Sequence, residues 1–213
     1  MFRSMKKWLV VIADMVDSRR AANRQELQNA LKHALGDVNA RSESVVSPYT
    51  ITLGDEFQAV LKNADGMFSD LWSILARIHP HKLRFSIAIG SISTEINTSS
   101  SIGMDGEAFY LARDAIVLMK KSKLPVCISG MQSKSSALAN DSLNLVMQCS
   151  RHWSRNRLDL QARLLGGENA SSIHREMGIS KSAVYQNIRN GNLNLTTRMQ
   201  GTITVLMNEE LQK

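Results

Sequence analysis

The sequence predicts an α+β protein in which a ferredoxin-like domain precedes an all-α helix-turn-helix domain. Three observations lead to this prediction. Residues 1–130 alternate strand and helix patterns in the order β-α-β-β-α-β-α-β, whose first six elements follow the ferredoxin-like plan. The last third of the chain carries a helix-turn-helix pattern. The composition, 43% hydrophobic and 21% charged over 213 residues, is that of a globular chain with room for one large domain or two small ones.

Hydrophobic periodicity defines the elements of the first domain. Strand patterns cover 8–13, 49–53, 57–61, 83–92 and 124–129, and helical patterns cover 19–35, 67–78 and 108–121. Gly36 is expected to end the first helix, and Gly54–Glu56 to form a tight hairpin turn. In the ferredoxin-like plan the helices cover one face of an antiparallel sheet and leave the other bare. We place the ferredoxin-like domain at 1–130, a linker or connecting helix at 131–152, and the helix-turn-helix domain at 153–213.

Composition excludes several classes of protein. No run of about 18 apolar residues is present, so no membrane span is expected. The apolar stretch near the N-terminus is followed at once by Asp14 and Asp17, and it predicts a buried first strand rather than a signal peptide. Two cysteines, Cys127 and Cys149, give neither a disulfide framework nor zinc-ligand spacing, which favours a reducing cytoplasm.

Positive charge is concentrated toward the C-terminus. Residues 1–150 carry 17 Lys and Arg against 14 Asp and Glu, whereas residues 151–213 carry 9 against 5. A basic C-terminal third is typical of proteins with a polyanionic partner. This distribution favours DNA as the partner of the C-terminal domain.

The segment NASSIHREMGISKSAVYQNIRNG carries the helix-turn-helix pattern. Ile173 and Val184 are expected to hold its two helices together, and Gly178 permits the sharp turn between them. Ser180 is expected to cap the second helix and to reach DNA. The other candidate DNA contacts on that helix are Lys181, Ser182, Tyr185, Gln186 and Arg189. The alternative is a helix-packing or oligomerisation module without DNA contact, in which Tyr185 covers the edge of the bundle.

Two acidic positions stand at strand ends of the first domain. Asp14 ends the first buried strand and Asp55 lies in the predicted turn, so both carboxylates are expected to meet on the bare face of the sheet. A divalent cation relieves the repulsion between such carboxylates, and Mg²⁺ is usually held by one or two carboxylates and phosphate oxygens. Glu56 is a third candidate ligand, and Gly54 allows a close backbone approach. The alternative is that these residues only form a turn and cap the first helix.

Three residues after the first strand are candidates for phosphate binding. Ser18, Arg19 and Arg20 lie at the predicted start of the first helix. Free backbone N–H groups and the two guanidinium groups of Arg19 and Arg20 at such a position suit a phosphate.

Four segments resemble one known family. VIADMVDSR, ITLGDEFQ, FSIAIG and MDGEAFYLAR, in this order and spacing, are similar to the SatD family of bacterial proteins and cover most of residues 8–115. The helix-turn-helix tail also suits that family. The same segments are more remotely similar to the ferredoxin-like palm of class III nucleotide cyclases and GGDEF-type diguanylate cyclases. That resemblance implies metal binding by Asp14 and Asp55. The comparison with the GGDEF type implies Glu56 as a further metal ligand that could take the place of one of them.

Other positions depart from the cyclase pattern. Ile51 stands where class III cyclases have a base-reading Lys, and Tyr110 and Asp114 stand where they have an Asn and a transition-state Arg. Arg113 lies one position early and is the remaining candidate for a ligand contact, in a stretch to Lys121 that is otherwise typical of a solvated helix face. A cyclase without its transition-state Arg is expected to react several orders of magnitude more slowly than one that has it. Catalysis is therefore not predicted.

These observations predict a DNA-binding regulatory protein whose cyclase-like domain binds a metal-nucleotide or another phosphorylated ligand. The expected partners are DNA, a nucleotide or phosphorylated small molecule with Mg²⁺, and a second copy of the chain in a homodimer. Two alternatives stay open: a metal-dependent nucleotide-converting enzyme with a helix-turn-helix tail, and a protein-interaction scaffold.

Overall fold

The computed structural model describes residues 6–17 and 23–213. The strands within these residues are β1 (Lys7–Met15), β2 (Val45–Leu53), β3 (Glu56–Leu61), β4 (Leu83–Ser91) and β5 (Val126–Ser129). The helices are α1 (Arg24–Arg41), α2 (Met67–Ile78), α3 (Glu107–Ser122), α4 (Ser133–Cys149), α5 (Arg155–Leu165), α6 (Ala170–Met177), α7 (Lys181–Asn190) and α8 (Leu193–Leu211). A 3₁₀ turn at Ser150–His152 joins α4 to the segment before α5.

The strands form one sheet in the order β2-β3-β1-β4-β5. Neighbours among the first four strands are antiparallel, which is the ferredoxin-like arrangement, and β5 is added parallel to β4 at the edge. The predicted α+β fold class is therefore confirmed. The strand β1 is central because its run KWLVVIADM is apolar on both sides, so neither of its faces can be left to water.

Both faces of the sheet are covered. Leu9, Val11 and Ala13 of β1 lie on one face, where α1, α2 and the C-terminal helices share one apolar core. Val10 and Ile12 lie on the opposite face, where they pack against α3. The prediction of a bare second face is wrong because α3, which links β4 to the parallel strand β5, buries its own apolar stripe there.

Close backbone contact holds α3 on the sheet. A Cβ atom at Gly106 would lie 2.7 Å from the carbonyl oxygen of Ser91, and a Cβ at Gly90 would lie 3.0 Å from the nitrogen of Ala108. Glu107, at the start of α3, accepts hydrogen bonds from the backbone N–H and the hydroxyl of Ser91 at 3.1 and 3.2 Å. The FSIAIG and MDGEAFYLAR segments therefore meet in space, and their glycines and glutamate dock the helix.

The polar segment 92–105 covers the rest of this face. Ser101 is fully buried, and its carbonyl oxygen accepts a hydrogen bond from the side chain of Gln58 on β3. The Ser101 hydroxyl also lies 3.0 Å from the hydroxyl of Ser47 on β2. The segment is thus a packed part of the fold, since its backbone and side chains satisfy polar groups of the sheet.

The C-terminal helices belong to the same core as the sheet. The ring of Trp72 on α2 stacks on that of Trp153, with centroids 5.4 Å apart, and its indole N–H donates to Gln200 of α8 at 3.1 Å. At the far end of α8, Glu210 forms an ion pair with Lys7 of β1 at 2.9 Å. The boundary predicted at 131–152 therefore lies within a region where one apolar core is continuous.

The first helix differs from its predicted bounds at both ends. The helix α1 begins after Asn23, whose side chain accepts a hydrogen bond from the N–H of Glu26, and it continues to Arg41. Gly36 lies inside this helix rather than at its end, because Leu35 and Val38 on either side of it are buried against the core. Over the described residues, no helix combines the length and hydropathy that crossing a membrane requires.

The helix α4 protects the open edge of β5. Asn140 accepts a hydrogen bond from the N–H of Ile128 at 2.7 Å and donates to its carbonyl oxygen at 2.9 Å. Asn144, one turn later, does the same for Val126 at 3.2 and 3.0 Å. Each asparagine side chain replaces one residue of a neighbouring strand, so the predicted linker region is a helix that completes the sheet edge.

We expect Asn140→Ala to lower the free energy of unfolding by about 2 kcal/mol, because it leaves the N–H of Ile128 without its partner and the Ile128 carbonyl with only the Ser136 hydroxyl as donor. Urea unfolding measures the change. Asn156→Ala, on an exposed position of α5, is the matched control and should be nearly neutral. Equal stability of the two variants would show that water replaces the Asn140 side chain at this edge.

Candidate functional site

Asp14 is neutralised by cations. The strand register places Asp14 between Glu56 of β3 and Arg84 of β4. Its carboxylate forms ion pairs with Arg84 and with Lys120 of α3, both at 3.1 Å. Because only 11% of the Asp14 side chain is exposed, two cations at this distance compensate its charge without a metal ion. Lys120 therefore pairs with a buried carboxylate. The sequence did not predict this contact, because it placed Lys120 on a solvated helix face.

The other two predicted metal ligands lie at the β2–β3 turn. Gly54 has φ +62, as the tight hairpin requires, and its carbonyl accepts a hydrogen bond from Gln28 at 3.3 Å. Asp55 lies in this turn, whereas Glu56 is the residue directly across from Asp14 and accepts a hydrogen bond from Thr52 at 3.3 Å. Among residues 6–17 and 23–213, no group of three His, Cys, Asp or Glu side chains could hold a metal ion. The magnesium site stays a prediction.

Only part of the predicted phosphate site lies within the described residues, and the site stays a prediction. Ser18, Arg19 and Arg20 lie outside the described residues. Arg113 is exposed on α3, with its guanidinium 5.7 Å from the ring centroid of Phe109. The position of Arg113 is thus explained by a cation–π contact within its own helix.

A cleft with basic walls opens at the end of the sheet where β1 ends and β4 and β5 begin. We call it the basic cleft; its volume is about 700 Å³. Its charged and imidazole side chains are Asp17, His79, His81, Lys82, Arg84, Lys120, Lys123 and Arg151. Its apolar wall consists of Val16, Leu75, Pro80, Leu83, Leu124, Pro125, Met147, Trp153 and Leu158.

Five cations converge on the basic cleft from three places in the fold. Lys82 and Arg84 enter with the start of β4, Lys120 and Lys123 lie at the end of α3, and Arg151 lies in the 3₁₀ turn after α4. Arg84 and Lys120 share Asp14. For Lys82, Lys123 and Arg151, no ion pair forms with any carboxylate of the described residues. The cleft therefore has an excess of positive charge beside an apolar surface.

The sequence contained a weak signal for this cleft. The segments HPHKLR and KKSK are basic and lie next to the starts of two predicted strands. Parallel pairing of β4 with β5 brings those two starts together, but Arg151 is added only because α4 returns to the same end. Sequence spacing alone could not bring these three segments to one point.

The C-terminal segment has the predicted helix-turn-helix elements. Gly178, with φ +64, ends α6, and the Ser180 hydroxyl caps α7 by accepting a hydrogen bond from the N–H of Ala183 at 3.1 Å. Ile173 and Val184 are fully buried between the helices. The candidate contacts on α7 are all exposed: Lys181, Ser182, Tyr185, Gln186 and Arg189.

This fold and this cleft define an α+β protein in which a ferredoxin-like sheet with one added parallel strand shares its core with a helix-turn-helix tail. The chain belongs to the SatD family, whose family model matches residues 8–207. The resemblance seen in the four sequence segments is therefore confirmed. No curated protein matches the chain.

Two solved structures of bacterial light-regulated adenylyl cyclases are similar to the chain, each at 13% identity. The first match covers 59% of this chain and 77% of the cyclase chain, with a TM-score of 0.41. The second covers 60% of this chain and 44% of the cyclase chain, with a TM-score of 0.40. In the second case the chain thus spans less than half the length of the structure that it matches.

The predicted DNA-binding regulatory function is wrong in the light of these comparisons. Both similar structures are described as adenylyl cyclases. The two helices of the helix-turn-helix, α6 and α7, are present, and the helices that flank them, α5 and α8, pack against α2. DNA binding, regulation of transcription and metal binding are without support.

Proposed function

We propose that the protein binds a small organic anion in the basic cleft. The observation that carries the proposal is the set of three cations without carboxylate partners among the described residues, Lys82, Lys123 and Arg151, around one opening. Each of the three is exposed, so each can keep its water until an anion replaces it. An anion that reaches two of them forms charge-assisted hydrogen bonds.

The apolar wall defines the rest of the ligand. Leu83, Met147, Trp153 and Leu158 are buried side chains that line the cleft beside the cations. A cavity of about 700 Å³ lies in the range typical of small-molecule sites. The ligand class that matches both features has a phosphate, carboxylate or sulfonate group on an apolar or aromatic body.

The compartment and the assembly of the protein enter this proposal as expectations. Cys127 and Cys149 are both free thiols, which favours the reducing cytoplasm. Homodimer formation, Mg²⁺ and a nucleotide as the natural ligand stay predictions.

Thermal unfolding with three related probes tests the proposal. The probes are 2-naphthyl phosphate, which has both features, inorganic phosphate, which has only the charge, and 2-naphthol, which has only the apolar body. We expect 2-naphthyl phosphate to raise Tm most, since a ligand at about 100 times its Kd adds about 2.7 kcal/mol of stability. Added salt should weaken the shift because the interaction is partly electrostatic.

The variant Lys82→Gln with Arg151→Gln removes two cations of the cleft and should weaken 2-naphthyl phosphate binding at least about tenfold. Titration calorimetry measures the Kd. Lys134→Gln, on an exposed position of α4 outside the cleft, is the matched control and should bind like the wild type. Equal binding by the double variant, or equal binding of 2-naphthol and its phosphate, would contradict the proposal.

A further inference from the structure

A second cavity lies between the first domain and α5. We call it the acidic cavity; its volume is about 580 Å³. Its walls are the turn after α1 (41–44), the turn after β3 (62–66), one side of α2, and the stretch 159–168. No residue of the acidic cavity lines the basic cleft. Any ligand of this cavity is therefore recognised by a different set of side chains.

Asp70 is the buried acid of this cavity. The residue is 3% exposed, and its Oδ2 atom accepts no hydrogen bond from the part of the chain that the structure describes. Its Oδ1 atom lies 3.7 Å from the guanidinium of Arg41, which itself donates to the Ser73 hydroxyl at 2.6 Å. Burial raises the pKa of Asp70 to about 6, although Ser42 and Arg41 lower it in part. A buried carboxylate oxygen without a donor is rare and costly in a folded protein.

The charges around Asp70 favour a cation. The lining carboxylates are Glu43, Asp65, Asp70, Asp159 and Glu168, whereas the lining cations are Arg41, Lys62 and Arg163. Arg163 is already engaged by three carboxylates at 2.6 to 3.2 Å. The lining therefore has more negative than positive charge, and Arg163 of α5 is not free to reach Asp70.

We propose that the acidic cavity binds a small organic cation with N–H donors, a primary ammonium or guanidinium compound, and that the Asp70 carboxylate pairs with it. An N–H donor is required because the unpartnered group is a hydrogen-bond acceptor. A quaternary ammonium group has no such donor, and the lining contains no aromatic ring for it to contact. A metal ion is a poorer match, since no trio of suitable ligands exists among the described residues.

Calorimetric titration of the full chain with agmatine tests this inference, because agmatine carries one guanidinium and one primary ammonium group. We expect agmatine to bind the wild type, and Asp70→Asn to weaken its binding at least about tenfold by removing the charged acceptor. Tetramethylammonium, a cation without N–H donors, should not bind. Asp141→Asn removes the same charge from an exposed position on α4 and should leave the affinity for agmatine unchanged.

Absence of agmatine binding by the folded wild type would overturn the inference. Equal affinity in Asp70→Asn, or equal affinity of tetramethylammonium and agmatine, would overturn it as well. Should Asp70→Asn fail to fold, agmatine binding by Glu43→Gln, at the exposed rim of the cavity, tests the inference instead. A loss of affinity of about twofold or more in that variant supports a cation in this cavity, and an unchanged affinity contradicts it.

Discussion

Replacing Trp72 by alanine is expected to lower the free energy of unfolding by about 3 to 5 kcal/mol, the range for truncating a buried aromatic side chain. Trp72 is 2% exposed, stacks on Trp153 at 5.4 Å, and donates to Gln200 at 3.1 Å. It therefore joins α2, the segment before α5, and α8. Because three elements meet on one side chain, the cavity left by alanine cannot close by the movement of any one of them.

Urea unfolding measures this loss of stability. Two further variants serve as comparisons. Trp72→Phe keeps most of the packing but removes the donor to Gln200, so it should cost clearly less than alanine. Leu145→Ala removes an apolar side chain that is 67% exposed on α4 and should be nearly neutral. A loss below about 1 kcal/mol for Trp72→Ala would show that the C-terminal helices do not depend on this contact.

The same variant bears on the proposed ligand. Trp153, the stacking partner of Trp72, is one of the side chains that line the basic cleft. Loss of the stack frees the Trp153 ring, so we expect Trp72→Ala to bind 2-naphthyl phosphate more weakly even where it remains folded.

Asp70→Asn is expected to stabilise the protein at neutral pH. Burial raises the pKa of Asp70 from 3.8 to about 6, so the charged carboxylate is less favourable in the folded state than in the unfolded chain. Above the folded pKa the group destabilises the protein, and this effect disappears as the pH falls through 6 toward 3.8. The size of the shift corresponds to about 3 kcal/mol at most, because one pKa unit is about 1.4 kcal/mol.

Urea unfolding at two pH values measures this effect. We expect Asp70→Asn to be more stable than the wild type by about 2 to 3 kcal/mol near pH 7.5, and the difference to shrink toward zero near pH 4. The loss of the Arg41 contact costs little, since half of the Arg41 side chain is exposed to water. Asp141→Asn should show no such pH dependence. A difference that is the same at both pH values would mean that burial of Asp70 is not its cause.

The destabilising effect of charged Asp70 bears on the function of the acidic cavity. Positions that destabilise the folded state without a ligand are frequent where a ligand binds. Agmatine should therefore stabilise the wild type most where Asp70 is charged, above its pKa of about 6. Arg41, Glu43, Tyr49, Lys62, Asp65, Asp159, Arg163 and Glu168 are the other charged or titratable groups around this carboxyl.

Local patterns in the sequence predicted most of the elements correctly. The alternation in 83–92 corresponds to β4, the helical pattern in 67–78 coincides with α2, and the string around Gly178 forms two helices with Ser180 as the cap. These predictions succeed because periodicity, caps and turn residues act over a few neighbouring residues. Gly36 is an exception, since packing of Leu35 and Val38 outweighs the low helix propensity of a single glycine.

The candidate sites were much less predictable. Asp14 was expected to face a metal ion, yet Arg84 and Lys120 reach it from elements some 70 and 106 positions further along the chain. Lys123 and Arg151 join Lys82 only through the parallel pairing of β4 with β5 and the return of α4. That Asp70 Oδ2 has no hydrogen-bond donor among the described residues could not be predicted from the sequence, because burial and hydrogen bonding are properties of the packed chain.

The sequence by itself determined the α+β class, the order of the strands and helices, the helix-turn-helix tail and the SatD resemblance. These features depend on the spacing of residue types along the chain, and that spacing does not depend on long-range contacts. Only the tertiary structure decided that α3 covers the second sheet face, that the tail shares the core through Trp72, and which charges are paired. Charge pairing depends on distances of 3 to 4 Å between distant segments, and the Coulomb energy of a pair follows distance and burial rather than position in the chain.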